Sequence, residues 1–320
     1  MLPFHNAVAS DFELVNACII RQLYSEVGLV ENIGHYLIEA GGKRLRPLLV
    51  LLIAKTLGYE GSRHIDLAAI IEFIHTATLL HDDVVDVSSL RRGRLTANAQ
   101  WGNAPAVLVG DFLYSRAFQM LVELGSMEIM AILSNTTNII SEGEVQQLVN
   151  AKNPDVTEEN YQRVIHKKTA ALFEAACEAA AVLAGADATR RKAAFLFGQH
   201  LGMAFQLVDD ALDYSGDAEA LGKNLGDDLA EGKPTLPLIH AMRTGTEAER
   251  RLIRSAIEAG SGEQLQEILA IIQRTGALTY TQERAQHHAT TAQQYLDQLP
   301  SNPYAQALAD LSRFSVTRAY

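Results

Sequence analysis

Apolar residues recur at three- and four-residue intervals through most of this chain, the period of a helix with one buried face. In SDFELVNACIIRQLY, Phe12, Val15, Ile19 and Leu23 form such a stripe, with Ser10 placed as N-cap and Glu13 three residues on to close a capping box. The same period predicts helices near 10–40, 46–57, 64–87, 104–123, 127–150, 157–185, 188–216, 234–243, 246–260, 262–275, 276–297 and 303–317. Glycine, proline, asparagine and aspartate punctuate the gaps, as in EAGGKRLRP, WGNAPA, NAKNPDVT and EGKP. Alternating strand patterns are absent, and no low-complexity stretch or linker divides the chain. The expectation is an all-α, single-domain helical bundle over residues 1–320.

Composition narrows the class. Of 320 residues 48% are hydrophobic, enough for a large core. The net charge of −11 argues against a nucleic-acid binder, which needs a basic stripe; the strongest basic runs, GGKRLRP and LRRGR, are short. Cys18 and Cys177 stand far apart and predict two buried, reduced thiols. No apolar run reaches membrane-spanning length, and MLPFHNAVASDFE lacks the basic and apolar regions of a secretory signal. These features predict a soluble, cytoplasmic protein.

One motif occurs twice. Asp82, Asp83 and Asp86 in HDDVVD share the D-D-x-x-D spacing of Asp209, Asp210 and Asp213 in VDDALD. At about 100° per residue, positions four apart lie within about 40° on a helix, so each triad gathers its carboxylates on one side. A solvated acidic helix end is the plain explanation. It weakens because the flanks ATLLHDD and FQLVDDALDY are apolar, where ionised groups are costly unless paired or bound to metal. Two such triads facing each other across a bundle make an oxygen-lined cavity suited to Mg²⁺ or Mn²⁺. Mg²⁺ takes its remaining ligands from water and phosphate, which points to a diphosphate.

Basic residues accompany each triad: Lys43, Arg44 and Arg46 after a double glycine, Arg91, Arg92 and Arg94 after the first triad, Lys168 in KKTAALFEAA, and Lys223 and Lys233 after the second triad. Any one is an ordinary surface cation. Together they fit two anionic ligands, one on metal and one held by lysine and arginine alone.

GGKRLRP, LLHDDVVD…RRG, KKTAALFE, FQLVDDALDY and GDDLAEGKPTLP, in this order and at these separations over roughly 35–240, resemble the trans-type polyprenyl diphosphate synthases, most closely the bacterial octaprenyl and nonaprenyl diphosphate synthases that supply quinone side chains. The resemblance implies an isoprenoid-synthase bundle with a central active-site cavity, a homodimer and Mg²⁺. It implies that both aspartate triads bind metal and, through it, an allylic prenyl diphosphate such as farnesyl diphosphate. Arg91, Lys168 and Lys223 then contact that diphosphate, with Lys233 assisting. Lys43, Arg46, His75 and Arg92 hold isopentenyl diphosphate without metal. Thr169 and Gln206 turn oxygens toward the allylic cation, and Gln147 lies near the metals. His75 has a plain reading as a core histidine, but it stands seven residues, two turns, before Asp82 on the same face. A lid around GKNLGDDLAEGK and transient membrane contact for product release complete the expectation.

Chain length follows from the same resemblance. Ala77 and Thr78 line the start of a tunnel that large aromatics would block, and Phe118, Met120 and Leu121 form its floor, with ordinary packing as the alternative for each. Rival readings are a farnesyl or geranylgeranyl synthase, an HD-type metal phosphohydrolase suggested by His81–Asp82, a non-catalytic synthase subunit, and a cyclising terpene synthase. The C-terminal SVTRAY has little basic character and is assigned no role.

Overall fold

Helices carry nearly all the regular structure of the computed structural model, which describes residues 3–39, 41–215 and 225–317. In chain order they are α1 (Ala9–Gln22), α2 (Gly28–Glu39), α3 (Leu45–Thr56), α4 (Arg63–Val85), α5 (Ala97–Trp101), α6 (Asn103–Leu124), α7 (Met127–Asn150), α8 (Glu158–Ile165), α9 (Ala171–Leu183) and α10 (Ala188–Ser215). There follow α11 (Asp227–Ala230), α12 (Leu236–Thr244), α13 (Glu247–Ala259), α14 (Leu265–Arg274), α15 (Ala277–Leu296) and α16 (Pro303–Thr317). The strands β1 (Leu90–Arg91) and β2 (Arg94–Leu95) pair as a two-residue ribbon. The fold class is all-α, as the periodicity predicts.

The described residues group into two compact units. The first comprises Met1–Thr137, Leu172–Gly198 and Gln293–Leu311; the second comprises Asn138–Ala171, Gln199–Ala292 and Ser312–Tyr320. In the first, α3 is enclosed on every side. Leu48 through Ala54 are wholly buried, the outcome expected of a helix that is apolar all round. Truncating Leu49 to alanine there should cost about 2–5 kcal/mol. Helix α4 packs on α1, α3 and α6. Its approach to α6 depends on Gly110, where a Cβ would stand 2.3 Å from the His81 Nε2. The second unit has two apolar clusters. One joins Tyr161, Met203, Leu207 and Leu236; the other joins Tyr214, Leu238, Ile253 and Ile268.

Four local features depart from the sequence expectation. The helix expected over 10–40 is two helices, interrupted where the Ser25 N–H bonds Glu31 and the Ser25 hydroxyl takes the Val27 N–H. Ser10 is not an N-cap: a 3₁₀ turn over Pro3–Val8 runs straight into α1, so Ser10 lies inside the helix. The segment LRRGRL forms a hairpin, because Arg92 and Gly93 take left-handed backbone (φ 54° and 72°), the signature of a tight primed turn. Finally, the helix expected over 157–185 is broken by a π-helical turn at His166–Ala170.

Candidate active site

The first unit contains a cleft of about 780 Å³, its open mouth included. Glu72, His75, Asp83, Arg44, Arg91 and Arg92 are among its lining residues. Helix α4 supplies Glu72, His75 and Asp83 at near-helical steps, so one stripe of a largely apolar helix brings titratable groups to the cleft. The loop before α3 supplies Arg44. Gly41 and Gly42 there have φ of 71° and 130°, and a Cβ on Gly42 would meet the Arg92 guanidinium. The double glycine thus lets the Arg92 guanidinium lie against the loop, where it donates to the Gly41 carbonyl.

Charge in the cleft is arranged residue by residue. Asp83 is 2% exposed, and its Oδ1 accepts two N–H bonds from Arg91, at 2.9 and 2.7 Å. Burial nevertheless leaves the Asp83 carboxyl above its ordinary range, with Asp82 and Asp86 pushing the same way against the Arg91 attraction. Asp82 and Asp86 are half-buried, Asp86 standing just beyond the last turn of α4. The triad is therefore split: Asp83 turns to the cleft and to Arg91, while Asp82 and Asp86 follow Thr78 along the next stripe.

Arg46 reaches the cleft through His75, its N–H standing 3.0 Å from His75 Nε2, and its guanidinium lies 4.5 Å from the Phe173 ring centroid. Burial first, then Arg46, Arg92 and Arg91, holds His75 well below the ordinary histidine range. The ring is neutral, and acceptance at Nε2 puts its proton on Nδ1. Lys43 lies in the same loop, and its carbonyl oxygen is 3.2 Å from His5 Nε2.

The second triad sits near the end of α10 in the second unit. Asp210 is 3% exposed and Asp213 wholly buried. Tyr161 donates to Asp210 Oδ2 at 2.5 Å, and Gln206 donates to Oδ1 at 2.7 Å. Thr169 in turn donates to Gln206 Oε1 at 2.8 Å. The Gln206 oxygen thus accepts from Thr169, and the Thr169 hydroxyl keeps its own lone pairs for another group. Burial, then the charge of Asp228, pushes Asp210 well above the carboxylate range despite its two donors. Asp213 accepts the Asp228 N–H at 3.2 Å, tying the triad to the start of α11.

Lys168 and Thr169 belong to the π turn, a departure from α geometry often found at functional sites. Gly143 on α7 permits it, since a Cβ would come within 2.9 Å of the Lys168 backbone nitrogen. Lys168 pairs with Glu144 at 2.8 Å, and Lys233 with Glu231 at 2.5 Å. Gln147 is half-buried one turn beyond Glu144. Lys223 lies outside the described residues, as do residues 222–224 of the expected lid.

Of the chain-length candidates, Ala77, Met120 and Leu121 are buried in the first unit at 0%, 3% and 1% exposure. Thr78 donates to the His75 carbonyl, and Phe118 packs on Tyr114. His81 is engaged between α4 and α6, at 3.2 Å from the Val107 carbonyl and 3.4 Å from Asp111. Both cysteines are free and buried; burial pushes the Cys18 thiol up to about 11 and raises Cys177 further.

Sequence reasoning missed Glu72, Glu144, Tyr161 and Asp228. Glu72 had a signal, an acid one turn before His75 on an apolar helix. Tyr161 had none, because 49 residues separate it from the aspartate it holds.

Among the described residues no group of three histidine, cysteine or acidic side chains is already gathered at metal-binding spacing. The donor set nonetheless fits a hard divalent cation. Asp83 and Asp210 are buried oxygen donors whose charge is disfavoured where they stand, and an arriving cation would relieve that. No helix among the described residues is long and apolar enough to cross a membrane.

Known proteins share this chain almost end to end. It is 52% identical over 311 residues to octaprenyl diphosphate synthase of Escherichia coli (strain K12), covering 97% of this chain and 96% of that one. It is 50% identical over 312 residues to the geranyl-diphosphate-specific all-trans-nonaprenyl-diphosphate synthase of Rhodobacter capsulatus, covering 97% and 96%. A crystal structure of polyprenyl synthase from Caulobacter crescentus CB15, complexed with calcium and isoprenyl diphosphate, superposes with a TM-score of 0.96 at 43% identity over 99% of this chain and 97% of that one. Residues 27–274 match the polyprenyl synthetase family, and with these relatives the chain belongs to that family.

Proposed function

We propose that this prenyltransferase is a long-chain trans-polyprenyl diphosphate synthase that adds isopentenyl diphosphate to an allylic diphosphate, with farnesyl diphosphate as starter and an octaprenyl or nonaprenyl product destined for a quinone side chain. The observation that carries the reading is the cationic cleft, with His75, Arg44 and Arg92 on its wall and Asp83 beside Arg91 at its edge. It offers one anion a metal-free seat directly beside a carboxylate cluster suited to a second, metal-bound anion.

In this reading Lys43, Arg46, His75 and Arg92 hold the diphosphate of isopentenyl diphosphate. Neutral His75 donates from Nδ1 while Arg46 fixes its ring. Asp82, Asp83, Asp86, Asp209, Asp210 and Asp213 would hold Mg²⁺, which when bound supplies Lewis-acid neutralisation of the allylic diphosphate. Arg91, Lys168, Lys223 and Lys233 add fixed positive charge around the same leaving group, where negative charge grows as the C–O bond breaks. The Thr169 hydroxyl, oriented by Gln206, turns its lone pairs to the allylic cation. The double bond of isopentenyl diphosphate attacks that cation, held near it by its own anion seat, and the departed diphosphate takes the proton lost in the elimination. Water must be kept out, because it would quench the cation.

The Ala77 and Thr78 positions begin the tunnel for the growing chain, with Phe118, Met120 and Leu121 at its floor. We infer further that the two units act as one domain, that the protein is a homodimer, for which the exposed Leu108 and Val122 on one face of α6 offer apolar surface, and that it works in the cytoplasm.

Incubating the purified chain with isopentenyl diphosphate, farnesyl diphosphate and Mg²⁺ and sizing the hydrolysed product tests the reading. Products of eight or nine isoprene units are expected; inactivity of the single chain identifies a subunit that needs a partner, and products stopping at three or four units identify a short-chain synthase. Ala77→Tyr, which fills the buried Ala77 position, is expected to cut the product to farnesyl or geranylgeranyl length.

A further inference from the structure

Glu72 stands out as an acid on the wall of a cleft that otherwise suits anions. Its Oε2 is buried and has no hydrogen-bond partner. The charges that act on it are Arg44, Arg46 and Arg92, and burial raises its carboxyl against their pull. Those arginines make hydrogen bonds to uncharged groups: Arg44 to Asn16 and the Ile38 carbonyl, Arg46 to His75, and Arg92 to the Gly41 carbonyl. Glu72 acts on the three arginines through its field.

We propose that Glu72 is a built-in counter-anion that sets how tightly the cationic cleft grips a diphosphate, and that it is kept weak enough for repeated elongation. The inference rests on the cleft being the isopentenyl diphosphate seat. The reason lies in the atoms of the condensation. The new bond joins the allylic carbon to the double-bond end of isopentenyl diphosphate, so the elongated product keeps the diphosphate that came with isopentenyl diphosphate. That diphosphate must leave the cleft before the next isopentenyl diphosphate enters. A synthase that adds many units repeats this exit in every round, and a cleft of uncompensated arginines would make each exit slow. A carboxylate beside the arginines opposes the bound anion and speeds its departure.

Calorimetric titration of the intact chain with isopentenyl diphosphate, in chelator so that no divalent metal contributes, tests this. Glu72→Gln, which removes the charge and keeps the shape, is expected to bind about tenfold more tightly than the wild type. Under turnover its products at a fixed time shift to fewer isoprene units. Glu72→Asp keeps the charge and stays within about twofold of wild type. Thr76→Glu adds a carboxylate one turn along the same cleft wall and is expected to weaken binding about tenfold. Glu72→Gln binding as the wild type does or more weakly overturns the role of Glu72, and so does Thr76→Glu binding unchanged. Absence of metal-free binding by the wild type overturns the assignment of the cleft itself.

Discussion

The two aspartate triads share one spelling and meet different hydrogen-bond donors. On α4, Asp83 is neutralised by an arginine fork, and its companions Asp82 and Asp86 reach partly into solvent. On α10, two aspartates are buried, Asp210 and Asp213, and Asp210 is held by the uncharged donors Tyr161 and Gln206 with Asp228 adding further negative charge. A D-D-x-x-D repeat thus specifies where carboxylates sit on a helix and says nothing of how their charge is met. Asp83 has an arginine bonded to it, whereas the donors to Asp210 are a phenol and an amide.

The largest test of that contrast removes the carboxylates. Asp83→Ala and Asp210→Ala should each lower kcat/KM roughly a thousandfold or more, measured by incorporation of labelled isopentenyl diphosphate. Chelation should abolish turnover in the wild type, with restoration by Mg²⁺. Near-normal activity of Asp210→Ala would break the comparison, because the second triad would then be structural.

Removing the neutralising groups should separate the two settings. Arg91→Met leaves the Asp83 carboxylate buried without its fork and should destabilise the protein by about 2 kcal/mol in urea unfolding, the Arg91 side chain being partly exposed. Tyr161→Phe deletes one hydrogen bond from an uncharged donor and should cost about 1.5 kcal/mol, with kcat reduced by about tenfold as Asp210 loses its fixed orientation. Equal stability losses in the two variants would mean the settings do not differ as described.

A further effect concerns acid. Helix α10 also carries His200, whose Nδ1 lies 2.8 Å from His288 Nδ1 on α15. Burial, then His200, His287 and Arg284, lowers His288 to about 4. In this span the unfolded chain binds a proton that the folded one refuses, so stability present above about pH 6.5 is lost as pH falls toward 4. The loss should be on the order of 2 kcal/mol and should flatten in His288→Gln. Thermal melts across that range read it directly.

Much of this was legible in the chain itself. Helical period alone placed the long helices, because a buried stripe requires apolar residues every three or four positions. Repeated aspartates in apolar flanks signalled carboxylates that would be costly to bury, and Asp83, Asp210 and Asp213 are buried. The π turn was illegible: HKKTAALFE has the same period in either geometry, and only close packing at Gly143 distinguishes them. The arginine hairpin was equally hidden, because Arg92 adopts a left-handed backbone that its residue type does not favour.

By itself, then, the sequence determined the all-α class, the helix stripes and the residue types that chemistry requires, all of which depend on neighbours within a few turns. Tertiary structure alone decided which partner meets each charge: Arg91 for Asp83, Tyr161 for Asp210, Glu144 for Lys168, and Glu72 among the arginines. Those pairings join residues up to 49 positions apart, and no local period carries the energy of a contact made only when distant helices close on one another.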